Sequence, residues 1–506
     1  MVRRAAWACS AGLALSTAYE PIALPWVLPV AVAAFLVCLD GVPVRRAWIP
    51  GLAFGVGFYF THIYWMKQSL GIAPWVALAG VEALFYALFA TAAAAFLGRR
   101  LWPLWVAASW VTMEVWRSQW PFSGMPWGRL SFAVVDTPAQ WALPYVGMVG
   151  VSFLLALIAA LLAWLVRTRG ARWHGAAALV LVTAALLAPT LHRERLPTIG
   201  QVTVAAVQGD VPGPGNDILY DYRQVTRNHV DATVELADRV AAGQAPAPDL
   251  VVWPENSTAV DPFADEETRS GIERAVAAIG VPVMVGAIVD DGPDYALNQG
   301  IVWNPSTGPG DRYTKRHPVP YGEYIPFRQY LDLNFGQLAQ ITRDMRAGTR
   351  STPLRVAGVP VADAICFDIA YDDGIRDQML GGAQLLTVQT SNATFIFTHQ
   401  TDQQFAMTRL RAIETGKWTV VASTNGISGI IAPDGTVVDR AAKRTTDVLL
   451  DRVALTDGVT PGVRWGRTIG RTCIGATLWG LVLVTLTYRR ARRVRSHAPA
   501  TEEGTT

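Results

Sequence analysis

The chain has 506 residues, of which 51% are hydrophobic and only 16% charged, and its formal net charge is +3. A soluble protein of this size normally carries about a quarter charged residues, so the shortfall argues against an ordinary soluble chain and points to lipid. The basic residues are clustered rather than spread, which gives no support for nucleic-acid binding, and the four cysteines include no CxxC pair that would suggest zinc.

Residues 1–195 are almost continuously apolar. A helix needs roughly 20 apolar residues to cross a bilayer, and the spans expected here are 5–19, 21–39, 47–66, 72–97, 101–116, 143–166 and 174–191, with an eighth at 470–488. The first follows Arg3 and Arg4, as a signal peptide would. Further apolar segments come almost at once without a convincing cleavage site, so it reads as a span. With a cytoplasmic N-terminus, the inside ends and loops carry Arg3, Arg4, Arg45, Arg46, Arg99, Arg100, Arg167, Arg169 and Arg172, and the basic tail after 488. The outside loops hold only Lys67, Arg117 and Arg129. Such an asymmetry orients a membrane protein, and it places residues 200–455 outside, after the seventh span. The outside loop 117–142 is rich in aromatic and turn residues. It serves either as an interfacial aromatic belt or, through Trp127, as a contact for a lipid substrate.

Residues 200–455 alternate strand-like and helix-like runs. Strands are expected at 201–210, 249–255, 281–289, 361–368, 383–392 and 418–424, and helices at 219–242, 264–279, 371–381 and 399–416. The runs 295–313 and 427–440 read as hairpins. Buried strands with intervening helices imply a layered α/β fold. No internal repeat or Gly-rich phosphate loop appears. Long connections within compact domains are commonly lids, so Tyr324–Arg350 and Ala393–Thr398, the latter expected to expose Phe395, Ile396 and Phe397 after a strand, either gate lipid entry or simply pack on the membrane domain. A linker at 456–469, the span 470–488 and a basic tail at 489–506 complete the chain.

Three strand or hairpin ends carry reactive side chains: Glu255, Lys315 and Cys366. Chemistry in such folds gathers where strands end. A thiol needs a base before it attacks a carbonyl, and Glu255 suits that role. Lys315, with the backbone N–H after Cys366, suits the oxyanion. Lysine is scarce, at four positions in the chain, which singles out Lys315. Taken singly, each has a plainer reading: a buried core thiol, a carboxylate near a helix cap, a solvated lysine.

Together they match a pattern. The chain resembles the nitrilase superfamily in Trp253-Pro254-Glu255-Asn256, in Tyr313-Thr314-Lys315-Arg316-His317 with Val319-Pro320-Tyr321-Gly322-Glu323, and in Ile365-Cys366-Phe367-Asp368. With about seven spans, a large outer region and a last span, it looks like the apolipoprotein N-acyltransferase family within that superfamily. Val207-Gln208-Gly209-Asp210, Ser391-Asn392, His399-Gln400, Arg409 to Gly416 and Thr460-Pro461 extend the resemblance to about residue 490.

The resemblance implies an α-helical membrane domain of about eight spans and an extracytoplasmic α-β-β-α sandwich with Glu255, Lys315 and Cys366 as catalytic residues. It implies a phospholipid acyl donor, a Cys366 thioester, a diacylglyceryl apolipoprotein acceptor acylated on its α-amino group, and no metal or cofactor. Glu323 matches a family glutamate that assists catalysis or orients Lys315. Phe367-Asp368 stands where Tyr-Glu is usual, and Asn392 and Phe395 lie in a stretch where Ser-Asn-Asp-Ala-Trp is commoner. These last two, with Trp127, are the expected substrate contacts. The rival readings are a membrane-tethered amidase with the same triad and a non-catalytic membrane scaffold.

Overall fold

The computed structural model of the chain describes residues 1–168, 170, 172–328 and 341–496, the last six by backbone alone. The N-terminal region is helical, with helices Val2–Ser16, Val27–Cys38, Trp48–His62, Tyr64–Leu70, Ile72–Phe96, Trp102–Arg117, Leu143–Arg167 and Arg172–Leu187. Each expected span therefore contains a helix, though the ends move. Residues 17–26 are irregular, so the second helix begins at Val27 instead of 21. The expected span 47–66 breaks at Ile63, whose backbone (φ −106°, ψ 29°) interrupts the helix. By length and composition alone, Ile72–Phe96, Pro138–Arg167, Arg172–Thr190 and Pro461–Arg490 are long and apolar enough to cross a membrane.

Two β-sheets form the rest. The first runs, edge to edge, through Asp447–Thr456, Thr198–Gln208, Leu250–Val252, Val283–Asp290, Tyr295–Asn304 and Gly308–Thr314, with Asp344–Met345 also pairing with Tyr295–Asn304. The second runs through Val437–Arg440, Gly429–Ile431, Thr419–Ser423, Leu385–Thr390, Val359–Ile365 and Leu354–Val356. Successive strand residues face opposite ways, and the burial follows that rule. Val204 and Ala206 join Val252, Met284, Val361, Ile365 and Val420 in the core between the sheets. Their neighbours Ala205 and Val207 pack outward against Val230, Leu236, Ile272 and Val276 of helices Tyr222–Ala241 and Glu266–Ile279. Ala362, Ala364, Leu386 and Val388 pack outward against Ile375, Met379, Phe405 and Ala412 of helices Asp373–Leu380 and Gln400–Thr415. The result is an α-β-β-α sandwich.

Three expectations are corrected. The strand Asp447–Thr456, absent from the sequence reading, pairs antiparallel with Thr198–Gln208 and closes the first sheet. As an edge strand it carries Asp451 and Arg452 among its apolar residues, which hides its periodicity. The expected linker 456–469 is mostly helix. Thr460 Oγ1 accepts the N–H of Val463 (3.4 Å) and Pro461 follows, a favourable helix start, so the last helix runs Pro461–Ser496. In the loop 393–398, Ile396 is buried rather than exposed. Of the Tyr324–Arg350 connection, 329–340 lie outside the described residues, as do residues 497–506 of the basic tail.

The helical region and the sandwich are joined by polar contacts. Glu414 Oε1 accepts the N–H of Met148 (2.9 Å) beside Gly147, where the helix is broken (φ 68°) and a Cβ would stand 2.7 Å from the Gly462 carbonyl. Only glycine allows that approach. Arg129 pairs with Asp372 at 2.7 Å, and Tyr371 Oη donates to the Gly124 carbonyl at 2.8 Å.

Candidate active site

Glu255 sits three residues beyond the strand Leu250–Val252, where Trp253-Pro254 carries the chain over its neighbour strand. A Cβ at Gly286 would stand 2.0 Å from the Pro254 carbonyl, so the crossing depends on glycine there. The Glu255 carboxylate is only 3% exposed, and an unpartnered buried carboxylate would be costly. It is fully engaged: Oε2 accepts the Ser391 N–H (2.9 Å), and Oε1 accepts Asn298 Nδ2 (2.7 Å) and Lys315 Nζ (3.0 Å).

Lys315 directly follows the hairpin strand Gly308–Thr314, and its backbone N–H donates to the Asn298 carbonyl at 2.8 Å. Its ammonium also donates to Glu323 Oε1 at 2.8 Å. Glu323 Oε2 in turn accepts the Val319 N–H at 2.7 Å, which locks the glutamate over the lysine. Burial works against the Lys315 charge, but Glu255 and Glu323 outweigh it and hold the ammonium pKa well above its ordinary value. Burial raises the Glu323 pKa, with Lys315 opposing. Glu323 thus both orients Lys315 and keeps it charged.

Cys366 follows the strand Val359–Ile365 and opens a 3₁₀ turn, Cys366–Ala370. Its φ of 52° is left-handed, a conformation that non-glycine residues seldom adopt and that concentrates at functional sites. The turn takes the thiol out of the strand alternation, which would otherwise face it outward with Ala362 and Ala364, and brings it against the edge of the core between the sheets. Burial, and then Glu255, push its pKa up to about 12, against the pull of Lys315 and a hydrogen bond with Thr390. At rest Cys366 is a thiol, and a thiol of this kind needs a base to take its proton before it can attack a carbonyl.

Asp368 lies two residues on. Its Oδ2 accepts Tyr313 Oη (2.9 Å) and the Arg316 N–H (3.1 Å), and its Oδ1 accepts the His317 N–H (2.8 Å). It therefore ties the Cys366 turn to both flanks of Lys315. Phe367 lies near-parallel to Trp127 (centroids 5.9 Å, 22°) and meets Tyr371 edge-on. Phe395 meets Trp65 edge-on at 5.3 Å, and Trp65 meets Trp127 at 5.8 Å. Phe367 and Phe395 thus belong to one aromatic wall shared with the helical region.

The structure brings Glu255, Lys315 and Glu323 into one hydrogen-bonded cluster that acts electrostatically on Cys366, and adds Phe367, Asp368, Trp127 and Phe395 around it. Asn392 stands apart. With φ 58°, it donates to Gln404 Oε1 (2.9 Å) and accepts from Ser423 Oγ (3.1 Å) in a buried network. Its side chain is committed to holding the turn after the strand Leu385–Thr390.

Two residues escaped the sequence reading. Asn298 bridges Glu255 and Glu323, at 2.7 and 3.2 Å. Its signal was the polar Asn298-Gln299 pair inside an otherwise apolar strand. Gln403 accepts from both Trp65 Nε1 (3.0 Å) and Trp127 Nε1 (2.7 Å). No local pattern marks it.

Comparison with known proteins covers both regions. The family profile described as apolipoprotein N-acyltransferase N-terminal domain matches residues 11–161, and that described as carbon-nitrogen hydrolase matches residues 203–458. A protein of Mycolicibacterium smegmatis named apolipoprotein N-acyltransferase is 35% identical over 459 residues, 86% of this chain and 77% of its own length. Proteins of the same name from Methylococcus capsulatus and Pseudomonas putida are 31% and 30% identical, covering 91% and 90% of this chain and 92% of each relative.

Proposed function

This chain belongs to the apolipoprotein N-acyltransferase family and is an enzyme of lipoprotein N-acylation, and on that premise we propose how its own residues carry the acyl group. The Cys366 thiol attacks the ester carbonyl of a phospholipid while Glu255 takes its proton. The oxyanion forms against Lys315 Nζ and the backbone N–H that follows Cys366. The carbon–oxygen bond then breaks, the lysophospholipid leaves with the proton from Glu255, and the acyl group remains as a thioester. In the second half, the α-amino group of the diacylglyceryl-cysteine attacks that thioester. Glu255 takes the amine proton, and the thiol is restored as the amide forms.

The observation that carries this reading is the buried Glu255–Lys315–Glu323 cluster, with 3.0 and 2.8 Å contacts at one ammonium, acting on a thiol too basic to ionise unaided. A base and an oxyanion partner are both prepositioned, and the aromatic wall of Trp65, Trp127, Phe367 and Phe395 keeps water from the thioester. Glu323 acts through Lys315. Phe367 and Phe395 face the acyl chain, and Trp127 backs them. Eight helices cross the bacterial cytoplasmic membrane, and the sandwich lies on its extracytoplasmic side, where both substrates are bilayer-anchored and the search is two-dimensional.

The purified enzyme, incubated with phospholipid alone, should gain one fatty-acyl mass on the peptide bearing Cys366. Neutral hydroxylamine or a diacylglyceryl-cysteine peptide should remove it, the latter becoming N-acylated. Cys366→Ala should gain nothing. Normal lipopeptide acylation without any adduct would reject the covalent route. Free fatty acid released in the presence of acceptor would reveal a hydrolase.

A further inference from the structure

The last helix carries Arg464, Arg467 and Arg471 in its first three turns. Spacings of three and four residues put all three on one side of the helix. They occupy the end nearest the sandwich, opposite the arginines from Arg489 onward, and so run against the charge asymmetry that orients the chain. Among the described residues, no carboxylate pairs with any of the three, although most other arginines near the sandwich are paired.

Arg467 and Arg471, both exposed, line an open cavity of about 500 Å³ bordered by helices Trp102–Arg117 and Leu143–Arg167, the last helix and the loop beyond Cys366. Five arginines and three carboxylates line it, and each carboxylate is already neutralised. Asp372 is held by Arg129 (2.7 Å) and Arg411 (2.8 Å), Glu414 by Arg411 (2.5 Å), and Asp373 by Arg316 (3.2 Å) and His317 (2.8 Å). Arg376, the remaining arginine, is paired with Asp377 at 2.9 Å. The positive surplus is therefore Arg467 and Arg471. Away from the sandwich the cavity wall turns apolar, with Val115, Val149 and Ile474. On the other side of the same helix lies an apolar groove of about 450 Å³, lined by Leu104, Trp105, Phe153, Ile469 and Cys473.

A ligand for this place needs an anionic head and long apolar tails. We infer that the cavity binds the phosphodiester of a net-anionic glycerophospholipid on Arg467 and Arg471, with its acyl chains against the last helix, and that this lipid is the acyl donor. The role as donor rests on the acyl-transfer reading above, whereas the binding does not. Position favours it. The cavity shares His317 and Tyr371, which stack at 3.7 Å, with the loops that carry Lys315 and Cys366. A lipid seated there presents its ester beside the nucleophile turn. Phosphate recognition by paired arginines is charge-assisted and bidentate, and a net-negative head group keeps a charge that a zwitterionic one cancels.

The test uses the full chain in nanodiscs of phosphatidylcholine doped with phosphatidylglycerol. Native mass spectrometry reads retained lipid, and intact-protein mass reads loading of Cys366. The wild type should retain phosphatidylglycerol and load from it faster than from phosphatidylcholine, on the order of tenfold for two membrane-surface arginines. The double variant Arg467→Gln/Arg471→Gln should lose both the retention and the preference, and Arg464→Gln, outside the cavity, should keep both. Unchanged retention and preference in the double variant would overturn the site. Displacement of the lipid by inorganic phosphate at matched ionic strength would make it a soluble-anion site and overturn the lipid assignment. If Cys366 never loads in the wild type, the thioester reading fails, and retention alone still decides whether the cavity holds lipid.

Discussion

The carboxylate of Asp368, two residues after Cys366, accepts the backbone N–H of His317, two residues after Lys315, at 2.8 Å. With the bonds from Arg316 N–H and Tyr313 Oη, that one side chain fixes the spacing between thiol and ammonium. Replacing it with asparagine leaves an amide facing N–H donors. Asp368→Asn should therefore slow acyl transfer and destabilise the fold by about 1–3 kcal/mol, whereas Asp368→Glu should recover part of both. Turnover of diacylated lipopeptide, measured beside thermal melting, checks it. An Asp368→Asn enzyme with normal rate and melting would remove the residue from the site.

Glu255→Gln keeps the shape of the side chain and its bond from Asn298 but cannot take the thiol proton. Its rate should fall by roughly 10²–10⁴-fold. Lys315→Met should fall comparably through loss of the oxyanion partner. It also leaves Glu255 and Glu323 as unneutralised neighbours, so some destabilisation is expected. Near-wild-type turnover in either variant would reject its role.

Asp363 lies buried under the site. Oδ1 accepts Thr387 Oγ1 at 2.8 Å, while a Cβ at Gly300 would stand 2.5 Å from Oδ2. Burial raises its pKa to about 7. The folded chain holds this proton where the unfolded chain has lost it. Stability from this group is therefore greatest below a pH of about 4, declines as pH rises towards 7 and is level above. Melting temperature against pH should show that decline in the wild type and a flatter course in Asp363→Asn. Superimposable profiles would count against a protonated Asp363.

Phe395 and Phe397 head the loop beside the aromatic wall, and Phe397 is 68% exposed. Replacing both with serine should raise the apparent KM for phospholipid with little change in kcat. Unchanged kinetics would leave the loop a packing element only.

The orientation is open to a direct check. A cysteine introduced near Asp265, on the sandwich surface, should react with an impermeant reagent in intact cells. Protection there would invert the topology.

Much of this protein was legible in its sequence because the governing signals are local. Apolar length set out the helical region, and β-rich runs and hairpin turns marked ten of the strands. The three candidate residues could be read because Glu255, Lys315 and Cys366 each lie just beyond the end of a strand, where a side chain escapes the core alternation. Tertiary structure alone decided the rest. Gln403 gathers Trp65 and Trp127 from 338 and 276 positions away in the chain, and Asn298 couples Glu255 to Glu323 across 43 and 25. Asn392 reads as a substrate contact in sequence, yet its neighbours claim both ends of its amide. The start of the last helix, with Arg467 and Arg471 over a cavity, depends on Thr460 capping and on packing against Gly147. Hydrogen bonds between residues far apart in the chain leave no periodicity behind, so only the folded chain shows which polar groups are already satisfied and which are left for substrate.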